Sequence, residues 1–185
     1  MSFAADYRTK LVHALETIEA PKVDEVVDLL RQARDEGRRV FICGNGGSAS
    51  SANHFVCDMV KGASYQRDKR FKIMALSESI PTMTAYANDV GYEEVFVEQL
   101  KNFAEPGDVV MAISGSGNSP NVVKAIEYGN TIGCKTIGLT GFSGGKLAKA
   151  AQVNIHVADD HMGRCEDGHM IVLHMIGYCF MDEKL

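Results

Sequence analysis

The sequence predicts an α/β fold, a five-stranded parallel sheet with helices on both faces and additional helices at the N-terminus. Three observations predict it. Short apolar, β-branched runs alternate with segments whose apolar residues recur at helical spacing. Each connection between successive runs exceeds ten residues, which suits a crossover and not a hairpin. Two of the runs end in loops of glycine and hydroxyl residues directly before a helical segment: Gly44-Asn45-Gly46-Gly47-Ser48 and Ser114-Gly115-Ser116-Gly117-Asn118-Ser119.

The elements follow in order. Leu11, Leu15 and Ile18 mark one face of a helix over residues 3–19, which Pro21 breaks. Val23, Val26, Val27, Leu30 and Ala33 mark a second helix ending near Gly37. The first strand is 39–43, followed by the first glycine loop and a helix from Ser48 to about Val60. Phe71–Leu76 is the second strand. Residues 79–87 read as helix, Asn88-Asp89-Val90-Gly91 as a break, and 92–103 as resumed helix. The third strand, 108–113, leads into the second loop, whose Ser119-Pro120 pair reads as an N-cap and first helical position. The fourth strand is 135–140 and the fifth 153–157, and a helix from Arg164 to Phe180 closes the chain.

With 185 residues and 45% hydrophobic content, the chain is expected to form one domain over 1–185, with a helical segment (1–37) and an α/β core (38–185). The net charge of -5 and pI near 5.7 exclude a general nucleic-acid binder. No apolar run approaches the ~20 residues that span a bilayer, so no membrane partner is expected. The five cysteines are scattered and odd in number, and the first residues lack a signal-peptide layout, which fits a reducing cytoplasm.

Glycine loops between strand and helix offer free backbone N–H groups to an anion. Neither loop contains Lys or Arg, so the expected guest is a phosphate held by amides and serine hydroxyls. Two other readings stand beside this one. Gly44 to Ala49 satisfies the loose dinucleotide pattern, yet the nearest acid after the second strand, Glu78, lies too far downstream for a ribose contact. Plain tight turns account for the glycines but not for the added serines. No Gly-Lys-Ser/Thr of a P-loop is present.

His54 and Asp58 stand four apart on a helix and share a face. The closing helix carries Glu166, His169 and His174. Imidazoles and carboxylates on one helix face suit acid–base catalysis or metal binding, beside the plainer reading of a core histidine and a solvated carboxylate. Glu166-x-x-His169 is itself a helical ligand spacing, so the reading of residues alone leaves His169 and His174 both open as ligands.

Through Cys43–Ser48, His54-Phe55, Ala87-Asn88-Asp89, Ile113–Ser119, Leu139-Thr140-Gly141 and Arg164–His174, the sequence resembles the sugar isomerase (SIS) domain family over nearly its whole length. Within that family it is most similar to bacterial phosphoheptose isomerases. The resemblance implies an SIS-type, flavodoxin-like three-layer fold. It implies conversion of sedoheptulose 7-phosphate to a heptose 7-phosphate for lipopolysaccharide precursors. It places Asp58 as base and His174 as its acid partner. His54, Asp58, Glu166 and His174 would hold a divalent metal of the zinc class. Ser48, Ser114, Ser116 and Ser119 would bind phosphate, with Asn45, Gly46, Asp89 and Glu166 also against the substrate. It further implies a homotetramer assembled through the N-terminal segment, in which Glu166 and His174 complete a neighbouring subunit's site. The alternative is a non-catalytic phosphosugar-binding protein, associated with a replication initiator or serving a regulator.

The sequence departs from the family pattern at several positions. Asp58 replaces the usual glutamate base and Glu166 the usual glutamine. Ala63, Gly115 and Gly163 stand where an arginine, a threonine and an aspartate are expected. Loss of these three contacts is expected to vacate space for a larger phosphosugar.

Overall fold

In the computed structural model, which describes residues 2–183, the five apolar runs form one parallel sheet: β1 (Arg39–Gly44), β2 (Lys72–Ala75), β3 (Val109–Ser114), β4 (Lys135–Thr140) and β5 (Val153–His156). Met1 and the last two residues of the expected core lie outside the described residues. Among the described residues eight α-helices surround the sheet: α1 (Phe3–Glu16), α2 (Ala20–Asp35), α3 (Gly47–Cys57), α4 (Ile80–Asp89), α5 (Val97–Phe103), α6 (Pro120–Thr131), α7 (Leu147–Ala150) and α8 (Met162–Met181). The strand order is β2-β1-β3-β4-β5.

Alternation along the strands divides the core in two. Val40 and Ile42, with Met111, Ile137 and Ile155, face α2, α3 and α8 through Leu30, Phe55, Val172 and Phe180. Phe41 and Cys43, with Val110 and Ala112, face α5 and α6 through Leu100, Val122 and Ile126. Both faces are covered, so the central strands read as continuous apolar runs. The winding reverses between β1 and β3, and a crevice opens there beyond the carboxyl ends of the strands. Gly44 and Ser114, where the two glycine loops begin, are the last residues of those two strands.

Five local details differ from the sequence reading. The helix after the first loop ends at Cys57 and passes into a π turn over Asp58–Gly62, in which the Ala63 amide donates to the Asp58 carbonyl at 2.9 Å. Asn88 and Asp89 complete α4, so the break begins at Val90 and turns at Gly91. The segment 92–103 is a 3-10 turn at Tyr92–Glu94 followed by α5. Ser119 precedes α6 as expected but makes no capping bond; its hydroxyl instead lies 3.5 Å from that of Ser114. Pro21, placed as a breaker, occupies the first turn of α2, where its missing N–H costs nothing.

α1 is tied to α8. The Tyr7 hydroxyl donates to Asp167 at 2.6 Å, and this bond is the main cause that pushes the phenol up to about 12. Arg164 stacks over the Tyr7 ring while donating two bonds to Asp159 at 2.7 and 2.8 Å. No described helix is long and apolar enough to cross a membrane.

Candidate active site

The two glycine loops and the start of α8 enclose a cleft of about 270 Å³, lined by Asn45, Gly46, Ser48, Ser114, Ser116 and Ser119 together with Met162 and Glu166. Six of the eight side positions assigned to substrate from the sequence therefore meet in one place, with Glu166 as a seventh. α3 and α6 begin at these loops and α8 begins at Met162. Three helix N-termini thus direct their positive ends at the cleft. Among the described residues no Lys or Arg lines it. An anion placed here would meet amide and hydroxyl donors.

The loops are built by close backbone approach. Gly46 adopts φ +52° at the turn into α3. At Gly117 (φ +65°) a Cβ would come within 2.0 Å of the Gly144 carbonyl oxygen, so only glycine fits. The Ser114 hydroxyl accepts from the Gly117 amide at 3.1 Å and Ser116 accepts from the Asn118 amide at 3.2 Å, which leaves both O–H groups free to donate to a ligand.

Asn45 is more constrained than the sequence suggests. Its amide pairs reciprocally with that of Asn121, at 2.9 and 2.8 Å, and its oxygen also accepts from the Tyr92 hydroxyl at 2.9 Å. Asn121 is buried. Sequence reasoning missed Asn121 and Tyr92. Polar side chains in a helix first turn and beside a tight turn were the available signals, and neither carries a period.

Further along the same helices lies a second cluster. His54 Nε2 is 3.3 Å from Asp58 Oδ2, as the i,i+4 spacing predicts. His174 Nε2 is 3.1 Å from His54 Nε2 and 3.9 Å from Asp58 Oδ2. Ligand atoms around tetrahedral zinc, with bonds of about 2.0–2.1 Å, stand about 3.3 Å apart. The three observed separations bracket that value, so the donor set fits a zinc-class ion with a fourth position open. His54 and His174 are substantially exposed, which leaves that position accessible.

The structure separates His174 from Glu166. Within one chain, α8 packs directly beside α3 and brings His174 to His54 and Asp58. Among the described residues, the donor atoms that lie within 4.8 Å of one another are those of His54, Asp58 and His174, without Glu166. Its carboxylate lies instead over the first loop, where a Cβ on Gly47 would stand 2.7 Å from Oε1.

His169 is fully buried, and neither ring nitrogen has a hydrogen-bond partner. Burial pushes its pKa down, while the Thr140 backbone, near but outside bonding geometry, opposes this weakly. Placement therefore favours His174 as the ligand. Asp89 lies outside the cleft; it accepts from Asn88 at 2.7 Å and lines a separate depression with Tyr86 and Val90. Nor is space vacated at the three departures. Ala63 is buried in the core, Met162 covers Gly115, and Tyr7 closes on Gly163, where a Cβ would meet its hydroxyl at 2.9 Å.

A family model described as the SIS domain matches residues 3–141. The chain is 39% identical over 165 residues to a phosphoheptose isomerase from Geotalea daltonii, which covers 89% of this chain and 84% of that one. A solved phosphoheptose isomerase from Neisseria gonorrhoeae is similar with a TM-score of 0.88 and 29% identity, covering 96% of both chains. The sugar isomerase domain of an RpiR transcription factor from Sphaerobacter thermophilus shares the fold alone, with a TM-score of 0.65 and 16% identity over 97% of this chain and 90% of that one.

Proposed function

Because the chain belongs to the SIS domain family, on its phosphoheptose isomerase branch, we propose that it isomerises sedoheptulose 7-phosphate to D-glycero-D-manno-heptose 7-phosphate. The observation that carries the reading is the spacing between the anion cleft and the His–Asp–His cluster. Ser48 and His54 are six residues apart on one helix, about 9 Å along its axis. Seven bonds join the carbonyl carbon of a ketose 7-phosphate to phosphorus, and at about 1.2 Å per bond they span about 8 Å when extended. A phosphate seated among the serines therefore delivers the carbonyl end to Asp58 and His174. Five carbons fall short by two bonds.

In this mechanism Ser48, Ser114, Ser116 and Ser119 hold the phosphate, while Glu166 accepts from sugar hydroxyls. Asp58 Oδ2 faces the two imidazoles, which leaves Oδ1 to take the proton from the carbon beside the carbonyl. His174, at Nδ1, moves a proton from the adjacent hydroxyl to the former carbonyl oxygen, and Asp58 returns its proton to the former carbonyl carbon, which gives the aldose. His54, Asp58 and His174 hold a zinc-class ion, which when bound polarises the carbonyl and adjacent hydroxyl oxygens. A binding protein without catalysis needs the serine loops but has no use for three ligating side chains whose donor atoms lie within 4.8 Å of one another.

The assembly belongs to the same proposal. The outer face of α8 presents Met175 and Tyr178 to solvent, and α1 adds Phe3 and Val12, which suits burial between copies in a homotetramer. The cytoplasm, as a source of heptose units for lipopolysaccharide precursors, is the compartment that fits this substrate.

Deuterium incorporation from heavy water into sedoheptulose 7-phosphate tests the chemistry. Wild-type protein is expected to exchange the proton beside the carbonyl. Asp58→Asn and His174→Gln are expected to lose at least about a hundredfold in exchange while still binding the phosphosugar. No exchange by the wild type would leave a binding protein, and full exchange in both variants would take Asp58 and His174 out of the chemistry.

A further inference from the structure

Met162 has no assigned role, yet it is the long apolar side chain that stands in the cleft. Ile113, the other aliphatic residue there, is buried beneath the loop. Met162 opens α8 four residues before Glu166, so the two share a helix face. Its side chain is 46% exposed and therefore not fixed by the core. A Cβ on Gly115 would stand 2.7 Å from its Sδ, 3.5 Å from its Cε and 3.8 Å from Phe142 Cε2. The thioether thus lies across the second loop, and the Phe142 ring also stands close to Gly115.

Gly115 is not among the glycines with positive φ, so the backbone does not require glycine there. What stands closest to it is the Met162 thioether. Phe142, by contrast, is held at φ +48°, a conformation that bulky residues avoid, with its amide bonded to the Asp159 carbonyl at 3.0 Å. A bare glycine and a thioether over it, with a strained aromatic near the glycine, make an apolar side to a cleft lined mainly by hydroxyls, amides and one carboxylate.

We propose that Met162, admitted by Gly115 with Phe142 close to that glycine, is a specificity-determining residue that limits the bulk of the phosphosugar beside the second loop. The proposal rests on the phosphosugar reading of the cleft but not on turnover. Apolar pocket walls of this kind discriminate by about tenfold or more for each small group admitted or refused.

The test is calorimetric binding of sedoheptulose 7-phosphate and of the bulkier N-acetylglucosamine 6-phosphate to wild type, Met162→Ala, Gly115→Ala and the double variant. Met162→Ala is expected to shift the ratio of dissociation constants about tenfold toward the acetamido sugar. Gly115→Ala is expected to weaken both ligands by driving the thioether into the cleft, and the double variant to return to the Met162→Ala level. An unchanged ratio in Met162→Ala, or full persistence of the Gly115→Ala loss in the double variant, overturns the proposal. A shifted ratio in a protein that exchanges no deuterium upholds Met162 and removes the isomerase.

Discussion

His54, Asp58 and His174 show how little the surroundings need to contribute when spacing is right. Two ligands come from one helix turn and the third from the helix beside it, with His54 and His174 donor atoms 3.1 Å apart. Two imidazole nitrogens at that distance share one proton or one cation, and a cation serves both. Purified protein is expected to carry about one zinc-class ion per chain, and His54→Ala to lose it, by elemental analysis. Full metal content in that variant would take His54 out of the ligand set. His169 is the contrary case, an imidazole whose burial lowers its pKa from the ordinary 6.5, with His156 adding to the effect. Below pH 6.5 the unfolded chain then binds a proton that the folded chain does not, so stability is full above that pH and falls as pH drops toward the folded value. His169→Met is expected to flatten the fall in melting temperature between pH 7 and pH 5. An unaltered slope would show that other groups cause it.

Among the elements, the decisive feature is that two loops far apart in sequence are fastened to each other. The Asn45–Asn121 pair joins the first loop to the first turn of α6, and Tyr92 braces it from the 3-10 turn. The hydroxyls of both loops can then converge on one phosphate without reorganisation. Asn121→Ala is expected to raise KM for the phosphosugar about tenfold, with kcat changed much less, because a lost pair of amide bonds slackens binding and does not touch the carbonyl end. A matching loss in kcat would mean that Asn121 reaches the chemistry. The π turn after Asp58 belongs at this scale too. Apolar spacing read the helix through to Val60, since one extra residue in a turn shifts the period too slightly to register over five positions.

The molecule as a whole supplies what no element has alone. A net charge of -5 would repel a sugar phosphate, yet the crevice at the β1–β3 switch point collects three helix N-termini and no cation. Local dipoles outweigh net charge there because the ligand lies within the first turn of each helix, where their field is concentrated. The exposed stripe on α8 bears on assembly. Met175→Glu is expected to reduce the mass seen by light scattering, since a charge in a buried interface has no partner. An unchanged mass would place the contact on another face.

The sequence by itself determined the five strands, the parallel order of crossovers, the two anion loops and the His54–Asp58 pair. Each of these depends on local spacing, which a single chain records directly. Only the tertiary structure decided that His174 meets His54 within one chain while His169 turns into the core. It also decided that Glu166 leans on the first loop, and that Met162 and Tyr7 fill the room left by Gly115 and Gly163. Those outcomes depend on the angle at which α8 lies against α3 and the loops. That angle is set by the packing of Phe55, Val172, Ile176 and Phe180 against the sheet, a property of many distant side chains at once.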